Sequence, residues 1–187
     1  MLFRSMLQSC AASLTSLTFT SSVSRATLAD VFQHAVNLRS LDINTVEHHG
    51  AAVTSPLKSS LQLRTLTTPI NDAENLLLAS PNLEQLRIEA SSLWEDKRAQ
   101  KAIKTLAKLQ KLTFFELSPQ PVPLLPLHCA AGLPELRELC FERRMMPQLP
   151  FTPLRFDGLE RREFAANRGV LEAIWKYVSL PTLTELE

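Results

Sequence analysis

The residues best suited to nucleophilic or metal chemistry in this chain are three cysteines and four histidines. His128 immediately precedes Cys129, and Cys140 follows further on, so a thiolate activated by an imidazole is the chemistry to consider. The surrounding pattern puts Cys140 in an outward slot of an expected strand and Cys129 on an expected helix. Both read as small packing residues, which is how free cysteine is most often used. His48 and His49 adjoin Gly50, with Glu47 as the sole nearby carboxylate or thiol. Structural zinc takes about four spaced ligands, so this pair reads as a solvated loop. Four scattered glycines provide no Walker-type loop, dinucleotide fingerprint or Gly-x-Ser-x-Gly elbow. The chain therefore reads as a non-enzyme with no cofactor and no metal. An enzyme using a Cys/His site is an alternative that the sequence does not support.

Two segments carry binding chemistry instead. Lys97, Lys101, Lys104 and Lys108 recur every three or four residues and form a basic stripe opposite the apolar side of a helix. A solvated helix face is the ordinary role of such a stripe. The alternative is an adaptor that docks this helix on an acidic partner, a membrane or nucleic acid. Arg144, Pro147 and Pro150, extended by Pro153, have the Arg-x-x-Pro-x-x-Pro form of a Src-homology-3 ligand or of a stiff loop. Net charge is +1, so no whole-molecule field favours nucleic acid. An odd, sparse cysteine set fits a reducing, intracellular setting, cytoplasmic or nuclear. No apolar run approaches the roughly 20 residues of a membrane span. The serine-rich start with Arg4 and Arg25 has the composition of a transit peptide. Residues 14–19 already follow the pattern described next, so a first-repeat helix is the preferred reading there.

That pattern is Leu-x-x-Leu-x-apolar. It occurs as LTSLTF from Leu14, LRSLDI from Leu38, LEQLRI from Leu83, LQKLTF from Leu109 and LRELCF from Leu136. Weaker copies are LRTLTT from Leu63 and LERREF from Leu159, and a last LTEL starts at Leu183. The starts are 20 to 27 residues apart, within the roughly 20–29 of leucine-rich repeats. The expectation is one domain, residues 1–187, of about eight irregular repeats with the last incomplete. Each hexamer is a short strand with alternate residues inward, giving parallel strands at 16–19, 40–43, 64–67, 85–88, 111–114 and 138–141. The intervening residues must return the chain to the same end, so the fold class is α/β. The architecture expected is a right-handed leucine-rich-repeat solenoid, with a curved parallel sheet on the concave side and helices or irregular returns on the convex side.

Helical periodicity runs through Leu28, Val31, Phe32 and Ala35, through Ala99, Ala102, Ile103 and Leu106, and through Val170, Leu171, Ile174, Trp175 and Val178. Asn71 with Glu74, and Ser92 with Glu95, have capping-box spacing. The ninth repeat position, often asparagine, reads Ser22, Val46, Asn71, Ser91, Leu117, Arg144 and Asn167, so uneven curvature is expected. Leu2, Phe3, Met6 and Leu7 are expected to form a covering helix, whereas the C-terminal edge is uncapped and open to self-association.

The outward slots of the later strands carry charges of both signs. Binding hot spots favour aromatics and arginine. The partner-binding residues expected on the concave face are therefore Arg87, Lys111, Phe115, Glu138 and Arg161.

The phrases SPNLEQLRI (80–88), LPELRELCF (133–141) and LPTLTELE (180–187) place a proline two residues before the first leucine. With irregular spacing and long returns, they resemble the ribonuclease-inhibitor-like repeat regions of fungal F-box proteins. The resemblance implies a protein–protein interaction scaffold, and substrate recognition for ubiquitin ligation where an F-box is joined to it. No F-box opening of the Leu-Pro-x-Glu type occurs in residues 1–40.

Overall fold

The computed structural model describes residues 2–43, 61–89, 97–118, 129–141, 154–155, 160–164, 178–179 and 185–186. Within them the L-x-x-L-x-apolar segments become strands β1 (Ser16–Phe19), β2 (Ser40–Ile43), β3 (Thr65–Pro69), β4 (Gln85–Glu89), β5 (Phe114–Ser118), β6 (Glu138–Phe141), β8 (Arg161–Phe164) and β10 (Glu185–Leu186). These eight lie side by side in sequence order in one sheet, and every pairing is parallel. The short strands β7 (Leu154–Arg155) and β9 (Val178–Ser179) form a separate parallel pair that the repeat pattern does not foreshadow. Val178 is thus in a strand, not in the helix expected over 170–178, whose other residues lie outside the described ones.

Alternation explains which face is core. In β4, Leu86 and Ile88 are wholly buried while Gln85 and Arg87 are exposed. Leu41, Leu66, Leu86, Phe115 and Leu139 follow one another in register across β2–β6, and all are buried. They join one hydrophobic core with residues from the helices α2 (Arg25–His34), α3 (Ile70–Ala79) and α4 (Lys97–Leu106).

The strands are locked together at their entrances by one repeated backbone device. The Thr15 carbonyl accepts the N–H groups of both Arg39 and Ser40. The carbonyls of Arg39, Arg64, Glu84 and Thr113 do the same for residues 64 and 65, 84 and 85, 113 and 114, and 137 and 138. A turn precedes the strand in the same way: the N–H of Leu38, Leu83 and Leu112 donates to the carbonyl three residues earlier.

This device corrects the fifth repeat. The strand expected at 111–114 is displaced to Phe114–Ser118, and Leu86 pairs with Phe115 instead of Leu112. Two overlapping hexamers compete here, LQKLTF from Leu109 and LTFFEL from Leu112. The backbone chooses the second, because Leu109 supplies the carbonyl that closes the turn onto the Leu112 N–H. Leu117, taken above as a ninth position, is instead a fully buried core residue of β5.

The helices form where the apolar face and a start signal coincide. Ser24 caps α2, its side chain accepting the Thr27 N–H at 3.1 Å. Helix α3 starts at Ile70 with Pro69 as N-cap and no side-chain cap bond, so the Asn71–Glu74 box is not the helix start. Proline suits that boundary because its fixed φ ends the strand and no donor is lost to the helix. The Ser92–Glu95 box lies outside the described residues. In α4, Ala102, Ile103 and Leu106 are buried and Lys101 and Lys104 exposed. Helix α1 (Leu2–Cys10) buries Leu7 and sets Phe3 against Phe19 with ring centroids 6.3 Å apart. Met6, expected to help cover the core, is 61% exposed.

Candidate functional site

Parallel sheets are usually covered on both faces. Here the face opposite the core carries exposed or half-buried residues along β2–β6, and that open face holds the candidate site. It holds a groove of about 530 Å³, lined by Gln85 and Arg87 from β4, Phe114 from β5, Arg137 and Glu138 at β6, and Glu160 beyond. Phe114 is half-buried and lies in register between Gln85 and Glu138.

Charges on this face are organised by the register. Arg87 donates from Nε at 2.8 Å and lies 2.7 Å from Nη2 to the same Glu116 oxygen on the next strand. Arg64 meets Glu84 at 3.1 Å, and Arg137 meets Glu160. In each case an arginine on one repeat pairs with the glutamate at the same position of the next. Neighbouring strands are about 4.8 Å apart, so equal positions of successive repeats are within reach of each other. Beside these pairs, burial pushes the Glu89 carboxyl above its ordinary range, Asp42 pushes it further, and Arg87 partly offsets Asp42 and Glu116. The Asp42 Oδ1 is buried with no hydrogen-bond partner.

The structure sorts the expected binding residues. Arg87 and Glu138 line the groove. Arg161 opens β8 in register with Glu138. Phe115 is not an exposed anchor: it is fully buried, because the three-residue shift of β5 turns it into the core. Lys111 is exposed but sits in the turn before β5, so it is not a strand-face residue. Among the described residues, the aromatic on the open face is Phe114. Sliding the hexamer to Leu112 was the signal that would have found it.

Elsewhere, Lys101, Lys104 and Lys108 are exposed, Lys108 just past the end of α4, and Lys97 opens that helix. Arg144, Pro147 and Pro150, and the His48–His49 pair, lie outside the described residues. Cys129 is half-buried, and burial pushes its thiol pKa up more than nearby Lys104 draws it down. That is the reverse of what a thiolate nucleophile requires. Among the described residues no group of three or more His, Cys, Asp or Glu side chains is placed to hold a metal ion. No helix among them is long and apolar enough to cross a membrane.

Compared with known proteins, the sequence matches no family model, and no curated protein matches it.

Proposed function

We propose that this chain is a leucine-rich-repeat-type solenoid that binds a protein partner on the open strand face, centred on the groove at Phe114. The observation that carries this reading is a half-buried aromatic in a groove bordered by two arginine–glutamate pairs, on a parallel-sheet face that the described residues leave uncovered. Interface hot spots combine an aromatic anchor with surrounding groups that exclude water. Strand–return–strand units in sequence order, with steps near those of leucine-rich repeats, support the solenoid. The resemblance to F-box repeat regions makes a ubiquitin-ligase substrate the first class of partner to test.

The test is site-specific cross-linking in cells. A photoreactive phenylalanine analogue at position 114 is expected to give a discrete protein adduct, and the same analogue at Lys101 none. Adducts from Lys101 alone would overturn this reading in favour of a basic-helix adaptor. Equal, diffuse adducts from both positions would remove the open face from consideration.

A further inference from the structure

Resting on the reading of this face as a partner-binding site, we infer that the partner presents a cationic segment, with arginine or lysine at alternate residues, lying across β2–β6 and seating one side chain over Phe114. The outward positions of these strands hold four carboxylates, Asp42, Glu89, Glu116 and Glu138, and one guanidinium, Arg87. Arg87 is already held by Glu116 through both of its contacts. The chain as a whole carries +1, so this negative face is local and not a reflection of overall acidity. The exposed lysines Lys101 and Lys104 are on α4 and not on the strands.

Charge complementarity of this kind selects the sign of the partner and speeds encounter more than it raises affinity. Phe114 supplies the anchor, because an aromatic face attracts a guanidinium or ammonium and Glu138 stands beside it in register. The dimensions agree with an extended segment. Crossing from β2 to β6 spans four strand spacings, about 19 Å. An extended chain rises about 3.3 Å per residue with alternate side chains on one side, so roughly six residues, three of them facing the sheet, cover the distance. By register Glu89 lies two residues beyond the level shared by Asp42 and Arg87, and the Glu138–Phe114 pair two residues before it. A segment along that level therefore meets Asp42 directly and reaches Glu89 on one side and the Phe114 pair on the other with long side chains, about 7 Å along the strands.

The probe is a synthetic eight-residue peptide alternating arginine and serine, compared with its glutamate–serine counterpart, titrated into the full chain by fluorescence anisotropy. The basic peptide is expected to bind and to weaken steeply with added salt, and the acidic one to show no binding. Phe114→Ala and the double change Glu89→Gln with Glu138→Gln are each expected to weaken it by roughly tenfold or more. Lys101→Glu is expected to leave it unchanged, and circular dichroism confirms that each variant is folded. Binding of the acidic peptide, or basic-peptide binding untouched by both face variants, overturns the inference. The two readings fail separately. A cross-linked partner at position 114 that lacks a basic segment removes this inference alone, whereas the absence of any adduct there removes the site itself.

Discussion

The fifth-repeat register has a sharp energetic consequence, because it decides which of two adjacent phenylalanines holds the core. Phe115 has no solvent exposure and sits in the row with Leu86 and Leu139. Truncating a buried phenylalanine to alanine costs about 3–5 kcal/mol, from lost transfer free energy plus the cavity left behind. For a protein of this size each kcal/mol shifts the midpoint by about 2–4 °C, so Phe115→Ala is expected to lower Tm by roughly 6–20 °C. Phe114 is half-buried and faces the groove. Its removal forfeits only part of the ring's burial and opens no enclosed cavity, so Phe114→Ala is expected to cost on the order of 1 kcal/mol. Paired thermal and urea melts followed by circular dichroism measure both. The alternative frame, with LQKLTF as the strand, reverses the order. A Phe114→Ala variant less stable than Phe115→Ala would therefore refute the register and the face assignment built on it.

Three further outcomes follow from local chemistry. The Glu89 carboxyl is raised by burial first and by Asp42 second, so its ionised form is disfavoured in the folded chain. A folded-state pKa above the unfolded one means stability is fuller at low pH and is lost as pH rises through the folded value. Glu89→Gln is thus expected to stabilise at neutral pH, and the gain should vanish below the ordinary carboxylate range; a gain that grows on acidification contradicts the sign. The Arg87–Glu116 pair is exposed on the arginine side, with relative side-chain accessibilities of 51% and 21%. A double-mutant cycle with both changed to alanine is expected to give a coupling of only about 0.2–1 kcal/mol that shrinks with salt. Ser24→Ala removes the side chain that accepts the Thr27 N–H and should cost about 0.5–2 kcal/mol, whereas Ser24→Asp should retain most of the stability in the same melt.

How much of this was legible in the sequence depends on which group enforces each feature. Inward leucines at Leu41, Leu66, Leu86 and Leu139 announce strands through side-chain burial, and strands form at those places. Helices α2 and α4 announce themselves through apolar spacing in the same way. The start of α3 does not, because Pro69 marks it by backbone restriction while Asn71 and Glu74 imitate a capping box two residues too late. The site was half visible: Arg87 and Glu138 were found by alternation, and Phe114 was missed because Leu109 and Leu112 both satisfy the repeat. Pairing of Arg64, Arg87 and Arg137 with the next repeat's glutamate was hidden as well, since it requires the register before it can be seen.

The register itself is held by main-chain atoms, and this separates the duties of the side chains. One carbonyl at each strand entrance, from Thr15 through Thr113, accepts two N–H groups of the following repeat whether the return between them is short or long. From Leu63 to Leu83 the step is 20 residues, and from Leu83 to Leu112 it is 29. Such a clamp asks nothing of the side chain that carries it, so threonine, arginine and glutamate all occupy the position. The inward positions are constrained by packing, and the clamp positions by geometry alone. The outward residues Asp42, Arg87, Glu89, Phe114, Glu116 and Glu138 are constrained by neither. Burial first and Asp42 second raise the Glu89 carboxyl, so its ionised form is disfavoured on this face. The binding reading proposed above would account for that chemistry on a face the described residues leave uncovered.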